Sequence, residues 1–320
     1  MGKIWTIQAC LDWSKAYLER HGDERPRLSA EWLLGAAVHM QRIELYMNFD
    51  KPMGEDELAF MHDAIVRRGK GEPLQYITGR APFRMLEFNV KPGVLIPRPE
   101  TELLVEEVLS YLDESCVQRE DVSDKLVAQT DPEHIGLDGL TTRTCRCARV
   151  LEVGTGTGCI ACSIASERPG VEVVAIDIDA GAAELATKNR DELGLAEVID
   201  IRQGDLCAPV REDEYGTFDV LVSNPPYIPS DVMEQLPQEV VAFEPDLALH
   251  GGSDGLDIYR RLLEQVPAMV RPGGLFACEL HETMLEEAVL LASKSGMEDV
   301  RIINDLAGRP RHIVAFVPQA

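Results

Sequence analysis

The sequence predicts an α/β fold, in which a mostly parallel seven-stranded sheet carries helices on both faces and follows a small helical domain joined to it by a β-hairpin. Two observations predict this fold. From residue 148 onward, short apolar strand segments alternate with helical segments, and such alternation is typical of a mostly parallel sheet. Residues 1–75 show only helical periodicity, which predicts a separate helical domain.

Three apolar stripes with helical spacing lie within residues 1–75. The first includes Ile7 and Leu11, the second follows a possible cap at Ser29, and the third runs over Glu55–Arg68. Amphipathic stripes of this kind bury their apolar faces against one another. We therefore expect a small helical bundle.

The character of the chain changes after Pro73. In residues 76–97, three apolar segments at 76–79, 83–90 and 94–96, separated by turn residues such as Gly79 and Pro92, predict a β-hairpin or small strand pair. A connecting helix is predicted over Glu100–Leu112. Residues 113–147 are rich in Asp, Glu, Thr, Gln and Gly, with weak periodicity. This composition predicts an inserted surface loop or a partly disordered linker.

Residues 148–320 carry the alternating elements of the main domain. Parallel strands are predicted at Arg149–Val153, Glu172–Ile176, Val198–Arg202, Phe218–Ser223 and Gly274–Leu280. Helices are predicted at Ile160–Ser166, Gly181–Leu193, Gly255–Val270 and His281–Ser295. Two further strands, Asp299–Asn304 and Arg311–Phe316, are expected to close the chain as an antiparallel pair.

The composition narrows the functional classes. The formal net charge is −24, so the chain repels phosphate backbones at long range and favours a partner with a basic surface. No apolar run is long enough to cross a bilayer and no signal peptide is visible, so we expect a cytoplasmic protein with reduced thiols. Among its eight cysteines, Cys159 and Cys162 are interpreted as core residues, and we predict no metal site.

A glycine-rich loop follows the first strand of the main domain. It has the spacing G-x-G-x-G and consists of Gly154, Thr155, Gly156, Thr157 and Gly158. Glycines at this position let the backbone turn tightly and approach a ligand closely. The loop and the order of the elements around it resemble the Rossmann-like fold shared by S-adenosylmethionine methyltransferases.

Two acidic positions at later strand ends suit the rest of such a cofactor. Asp177 ends the second strand, where its carboxylate can accept hydrogen bonds from ribose hydroxyls. The alternative for Asp177 is a cap of the following helix. Asp205 and Leu206 follow the third strand and could bond the adenine amine and cover its ring; the alternative there is a simple turn.

The most specific signal is the tetrapeptide that follows the fourth strand, Asn224-Pro225-Pro226-Tyr227. The two prolines fix the loop and remove two backbone donors, so the Asn224 amide oxygen and the Pro225 carbonyl remain as acceptors. The Tyr227 ring offers a flat surface. Such a site suits an NH₂ group on a conjugated system, either a glutamine amide or the exocyclic amine of a base.

Several further segments closely resemble the HemK/PrmC family of protein-(glutamine-N5) methyltransferases, which act on peptide chain release factors. The resemblance covers about residues 70–112 and 148–320. It is carried, besides the tetrapeptide, by Gly71–Gly79, Leu95–Glu102, Phe243–Pro245, Gly251–Asp257, Arg271–Gly274 and Gly308–Arg311. It implies that residues 1–75 form a substrate-binding domain and residues 148–320 the catalytic domain.

The resemblance also implies roles for the residues of the site. Gly154–Gly158, Asp177 and Leu206 would bind S-adenosylmethionine. Asn224–Tyr227 would hold the substrate glutamine of a Gly-Gly-Gln loop, with Asn224 also near the methyl group. A sister group methylates a ribosomal protein, but its segment matching Pro97–Thr101 differs from the form here, which favours release factors.

Three features depart from the family pattern. Glu152 stands where Asp is usual, and His281 stands where Gly is common. The insertion at 113–147 is also longer than expected.

Two other functional classes stay open at this stage. An enzyme that methylates DNA or RNA amines is disfavoured by the net charge and by the lack of a basic, aromatic-interleaved stretch. A non-catalytic binding protein is disfavoured by the intact tetrapeptide and glycine loop. We expect a monomer that binds a protein substrate and makes no direct contact with nucleic acid or membrane.

Overall fold

The computed structural model describes residues 4–127, 148–233, 235 and 242–319, with residues 115–127 described by their backbone. Two compact units are distinguished. The first comprises Met1–Ala81, Asn89–Ile96 and Gln235–Pro245, and the second comprises Pro82–Phe88, Pro97–Glu234 and Asp246–Ala320. This division differs in detail from the domain limits set at residues 75, 112 and 147, which remain a prediction.

The first unit is built from helices, as its apolar stripes predict. They are α1 (Ile7–Arg20), α2 (Pro26–Val38), α3 (Arg42–Met47), α4 (Glu55–Arg68) and α5 (Leu74–Thr78). Helix α1 begins where the Thr6 side chain accepts a hydrogen bond from the Ala9 amide. Leu33, Leu34 and Ile65 are fully or almost fully buried in the shared core.

The hairpin is shorter than predicted. Its strands are β1 (Arg80–Phe83) and β2 (Leu86–Asn89), whereas residues 76–78 belong to α5 and residues 94–96 form no strand. Helix α5 ends at Gly79, whose φ of +73° is in the left-handed region. Residue Val94 is instead held by a side chain, because its carbonyl accepts a hydrogen bond from the Tyr76 hydroxyl at 2.8 Å.

The helix that follows the hairpin is also longer than predicted. Helix α6 covers Thr101–Val127, so the prediction of a loop is wrong for residues 113–127. Neither Gly nor Pro occurs between its ends, and polar residues such as Glu, Gln, Arg and Lys are good helix formers without an apolar stripe. Residues 128–147, which include Cys145 and Cys147, lie outside the described residues.

The second unit contains the predicted seven-stranded sheet. Its strands are β3 (Arg149–Val153), β4 (Glu172–Asp177), β5 (Ile199–Gln203), β6 (Phe218–Ser223), β7 (Val270–Glu279), β8 (Glu298–Asn304) and β9 (Pro310–Phe316). Their order is β5-β4-β3-β6-β7-β9-β8. Strands β3 to β7 pair in parallel, and β9 is antiparallel to both β7 and β8.

The central strands of the sheet, β3, β4 and β6, are buried on both faces. Alternate residues of β3 enter different apolar clusters, with Leu151 and Val153 in one and Val150 in the other, as expected from the period of a strand. The helices of this unit are α7 (Cys159–Glu167), α8 (Ala180–Glu192), α9 (Ser230–Met233), α10 (Asp246–Leu249), α11 (Asp257–Met269) and α12 (Leu285–Lys294), besides α6. Cys159 and Cys162 on α7 pack into the core, as predicted.

Within the described part of the chain, no helix is both long enough and apolar enough to cross a membrane.

Candidate functional site

The predicted site residues lie at the carboxyl edge of the sheet in the second unit. Strand β3 is flanked by β4 on one side and β6 on the other. Successive strands are therefore added on one side of β3 up to β5 and on its other side from β6, so the strand order reverses at β3. In open parallel sheets, ligands bind in the crevice outside the strand ends at such a reversal. The loops after β3, β4 and β6 are those that carry the glycine loop, Asp177 and the tetrapeptide.

The glycine loop turns as its sequence predicts. Gly154, Gly156 and Gly158 have φ angles of +77°, +57° and +80°, a region that residues with a Cβ rarely adopt. The amides of Gly154 and Thr155 both donate to the Ile176 carbonyl, which ties the loop to the end of β4. A Cβ on Gly154 would lie 3.8 Å from the Asn224 carbonyl oxygen, so the loop and the tetrapeptide are neighbours.

Asp177 faces the glycine loop and does not cap the next helix. Its carboxylate accepts hydrogen bonds from the amides of Gly156 at 2.8 Å and Asp179 at 2.9 Å. The cap of α8 is Asp179, whose side chain accepts from the Ala182 amide. Burial raises the pKa of Asp177, although the two amides oppose this shift. Each carboxylate oxygen keeps a second lone pair for another donor.

Glu152 lies beneath the glycine loop and is fully buried. Its Oε2 accepts hydrogen bonds from the Thr155 hydroxyl at 2.7 Å and the Ala161 amide at 3.1 Å, whereas its Oε1 has no partner among the described residues. Burial raises the pKa of Glu152 to about 8. The extra methylene relative to Asp is therefore accommodated within the loop that follows β3.

Asp205 and Leu206 lie in the loop after β5. Leu206 is buried and has a φ of +48°, which is a strained backbone for a residue with a branched side chain. Asp205 is half exposed and forms an ion pair with Arg261 at 2.6 Å, a partner that the sequence did not predict. An adenine amine would have to share this carboxylate with Arg261.

The tetrapeptide directly follows β6, and its backbone is held from both sides. The Ser223 hydroxyl donates to the Val153 carbonyl at 2.7 Å. On the other side, a Cβ on Gly251 would lie 2.8 Å from the Pro226 carbonyl oxygen, and one on Gly255 would lie 2.3 Å from the Tyr227 carbonyl oxygen. These two glycines therefore permit a close approach of backbones that no other residue allows.

A buried polar network behind the tetrapeptide was not predicted from the sequence. Asn224 Nδ2 donates to the Thr101 hydroxyl at 3.1 Å, and Thr101 donates to Glu279 Oε2 at 2.7 Å. The Tyr227 hydroxyl donates to Glu279 Oε1 at 3.4 Å, and His312 Nε2 lies 3.6 Å from Oε2. Thr101, Glu279 and His312 are almost completely buried.

Only a weak signal for this network is present in the sequence. Thr101 lies inside the stretch Leu95–Glu102 that resembles the family, and Glu279 ends a strand at the same edge as Asn224. Their contact with one another depends on packing α6 against the end of β7, which periodicity does not specify.

The departure at His281 leaves the local backbone unstrained. His281 does not have a positive φ, so the turn after β7 does not need glycine. Its Nδ1 lies 3.0 Å from the Thr283 hydroxyl, and its ring centre lies 6.4 Å from that of Tyr227. Burial and, to a smaller extent, the nearby charge of Arg311 lower the pKa of His281.

The arrangement provides hydrogen-bond acceptors and a flat apolar surface at one place. The Asn224 side chain and the Pro225 carbonyl can bind an NH₂ group, and Tyr227 stays a neutral phenol because burial raises its pKa. Among the described residues no cluster of His, Cys, Asp and Glu could hold a metal ion. The roles of the individual residues remain predictions.

Comparisons with known proteins agree with the architecture. The family profile described as PrmC N-terminal domain matches residues 9–79, and the one described as Methyltransferase small domain matches residues 137–253. Among solved structures, the hMettl16 catalytic domain in complex with MAT2A 3′UTR hairpin 6 has a TM-score of 0.50 and 15% identity, covering 82% of this chain and 81% of that one. That likeness concerns the fold alone.

Two curated relatives match over nearly their whole length. "Release factor glutamine methyltransferase" of Geobacter sulfurreducens is 38% identical over 309 residues, which are 97% of this chain and 96% of the relative. The protein of the same name from Moorella thermoacetica is 37% identical over 312 residues, with 97% and 98% covered. On this identity and coverage, together with the tetrapeptide and glycine loop at the expected sheet edge, the chain belongs to the release factor glutamine methyltransferase family.

Proposed function

We propose that this chain transfers a methyl group from S-adenosylmethionine to the side-chain amide nitrogen of the glutamine in the Gly-Gly-Gln loop of a peptide chain release factor. The observation that carries the proposal is the tetrapeptide Asn224–Tyr227 next to the glycine loop at the reversal point of the sheet. The names of the full-length relatives support the same reaction and substrate.

The residues at the ends of β3 and β4 fit S-adenosylmethionine. The glycine loop brings its backbone to the strand ends, with the Asn224 carbonyl oxygen 3.8 Å from the Cβ position of Gly154; Asp177 keeps acceptor capacity, and Glu152 Oε1 is a buried acceptor without a partner in the described chain. Gly154–Gly158, Asp177, Asp205, Leu206 and Asn224 would hold this cofactor. When bound, it supplies a sulfonium methyl group, an electrophile strong enough that no nucleophilic side chain is required.

The tetrapeptide would compensate for the low nucleophilicity of the substrate amide nitrogen. An amide nitrogen is a poor nucleophile because its lone pair is delocalised into the carbonyl. If Asn224 Oδ1 and the Pro225 carbonyl each accept one hydrogen of the substrate NH₂, they fix its orientation and stabilise positive charge that develops on nitrogen. Pro225 and Pro226 present no backbone N–H that would compete as donors.

Tyr227 would complete the pocket for the planar amide. Its ring is partly buried against the apolar cluster of the second unit, and its hydroxyl points to Glu279. The hydroxyl is thus held behind the site, and the ring remains as a surface against which the glutamine amide can lie. Holding both reactants in this way accounts for the rest of the rate enhancement.

The substrate class is the finer part of the proposal. The net charge of −24 favours a basic protein partner over a phosphate backbone, so we rank a ribosomal-protein glutamine second and base amines third. A substrate-binding role for the helical first unit, a monomeric state and a cytoplasmic location stay predictions.

Separate alanine substitutions of Asn224 and Asp177 test the substrate-binding and the cofactor-binding parts of the site. We expect Asn224→Ala to lower kcat by on the order of 100-fold or more, since it removes an acceptor used in the transition state, with the Kd for S-adenosylmethionine nearly unchanged. We expect Asp177→Ala to weaken that Kd by about tenfold or more, because a charge-assisted hydrogen bond is lost. Single-turnover methylation of a release factor and calorimetry measure the two quantities.

Each variant serves as the control for the other. Turnover close to wild type in Asn224→Ala would contradict the role of the tetrapeptide. An unchanged cofactor affinity in Asp177→Ala would contradict the ribose-binding role alone and leave the reaction as proposed.

A further inference from the structure

The network behind the tetrapeptide has a fixed direction of hydrogen bonding. Its links come from three elements, with Thr101 at the start of α6, Asn224 after β6 and Glu279 at the end of β7. Thr101 and Glu279 are each 2% exposed, so both lie away from bulk solvent. The links Asn224–Thr101 and Thr101–Glu279 are 3.1 Å and 2.7 Å long.

The direction follows from the chemistry of the groups. A carboxylate accepts hydrogen bonds and donates none, so the Thr101 hydroxyl must donate its single hydrogen to Glu279. The Thr101 oxygen can then only accept from Asn224, and this requires the NH₂ end of the Asn224 amide to face Thr101. The Asn224 oxygen is thereby left on the opposite end, free of this network.

Both carboxylate oxygens of Glu279 take part. Oε2 accepts from Thr101, Oε1 accepts from the Tyr227 hydroxyl at 3.4 Å, and His312 Nε2 lies 3.6 Å from Oε2. Neither ring nitrogen of His312 has a hydrogen bond within the described chain. Glu279 thus connects the first and last residues of the tetrapeptide through one buried group.

We propose that Thr101 and Glu279 are positioning residues that fix the Asn224 amide with its oxygen towards the substrate. This inference rests on the proposed function. A flipped Asn224 would present its NH₂ to the substrate NH₂, so two donors would face each other and the acceptor needed by the reaction would be lost. The network makes that orientation unfavourable, because it would also place the Asn224 oxygen against a hydroxyl whose hydrogen is committed to Glu279.

The test compares three changes in the network with one outside it. Thr101→Val keeps the shape but removes the hydroxyl, Thr101→Ser keeps the hydroxyl, and Glu279→Gln introduces a group that can donate to Thr101 and reverse the direction. Thr187→Val is the matched control, since the Thr187 hydroxyl donates to the Ala183 carbonyl of its own helix.

The expected result is a fall in kcat without a matching change in binding. At saturating S-adenosylmethionine and release factor, Thr101→Val and Glu279→Gln should each lower kcat by on the order of 10- to 100-fold. The KM for the release factor and the Kd for the cofactor should change by less than about threefold. Thr101→Ser should recover most of the lost kcat, and Thr187→Val should match wild type.

Other outcomes overturn the inference. If Thr101→Val and Glu279→Gln keep the kcat of Thr187→Val, the network does not orient Asn224. If Thr101→Ser is as slow as Thr101→Val, the methyl group and packing matter and the hydroxyl does not. Melting temperatures identify a variant that fails to fold, and the remaining two variants then decide. Wild-type protein that binds cofactor but methylates no release factor would overturn the proposed function itself.

Discussion

At the scale of single residues, the fold buries two acidic side chains, and burial raises the pKa of both. Glu152 and Asp177 come from neighbouring strands and are both buried beside the glycine loop. The sequence identified Asp177 as a site residue but left open whether it caps α8. In the structure the cap is Asp179 and not Asp177. The two residues are only two positions apart, and the backbone geometry determines which of them caps the helix.

The raised pKa of Glu152 has a consequence for stability. Its folded-state pKa of about 8 exceeds its ordinary value of 4.5, so the folded protein binds this proton more tightly than the unfolded chain does. Stability contributed by Glu152 is therefore present below pH 4.5 and is lost as the pH rises to about 8. The magnitude approaches about 1.4 kcal/mol for each pH unit within that window.

We expect Glu152→Gln to remove this dependence. The glutamine oxygen can accept from Thr155 and Ala161, and no charge forms at any pH. Urea unfolding at several pH values should show the variant gaining stability relative to wild type as the pH increases from about 5 to 8. A difference between the two proteins that stays constant with pH would show that Glu152 titrates near its ordinary value in the folded protein.

At the scale of elements, the tetrapeptide depends on a second loop that packs against it. The amide of Ile228 donates to the Leu249 carbonyl, and the amide of Gly251 donates to the Ile228 carbonyl. The segment Gly251–Asp257 was noted in the sequence for its family resemblance, without a structural reason. That reason is steric, because the backbones of Gly251 and Gly255 approach the tetrapeptide too closely for a Cβ.

Gly251→Ala should displace the tetrapeptide. The new Cβ would lie 2.7 Å from the Tyr227 Cα and 2.8 Å from the carbonyl oxygens of Pro226 and Gly255, which are backbone atoms that cannot rotate away. We expect kcat to fall by about tenfold or more and the free energy of unfolding to fall by about 1–3 kcal/mol.

The control for this change is Gly194→Ala. Gly194 lies in a turn remote from the tetrapeptide in sequence, with φ of +72° and open space at its Cβ position, so its replacement adds backbone strain of roughly 1–2 kcal/mol without a steric clash. Activity assays and urea unfolding compare the two variants. A Gly251→Ala protein as active as Gly194→Ala would contradict the role of this packing.

The sequence was most informative where strands and helices have strong periodicity. All seven strands of the sheet were predicted within a few residues of their observed ends. The signal is strongest for buried parallel strands such as β3, β4 and β6, which carry continuous apolar segments. The errors lie outside the sheet, at residues 76–78, 94–96 and 113–127. Residues 76–78 are short and apolar enough to suit a strand, yet Gly79 ends a helix there, and residues 113–127 are helical without an apolar stripe.

At the scale of the whole molecule, the order of the strands brings separate motifs to one edge. Because β3 lies between β4 and β6, the loops after Val153, Asp177 and Ser223 meet, although they are far apart in sequence. The motifs that the sequence offers as site residues therefore lie at one sheet edge, and their roles stay predictions. The Thr101–Glu279 network was missed because it depends on how α6 packs on the sheet, which no motif specifies.

The charge of the chain bears on the choice of substrate. A net charge of −24 favours association with a basic protein surface. This association should weaken as the salt concentration rises, because salt screens the attraction. The two profile matches, over residues 9–79 and 137–253, and the relatives that span nearly the full chain agree with membership of the release factor glutamine methyltransferase family.

Tandem mass spectrometry of a purified release factor, after incubation with this protein and S-adenosylmethionine, tests the central claim most directly. The account predicts the gain of one methyl group on the side-chain nitrogen of the glutamine in the Gly-Gly-Gln loop, and no gain with Asn224→Ala. An unmodified glutamine, with cofactor binding demonstrated in the same preparation, would contradict the proposed substrate.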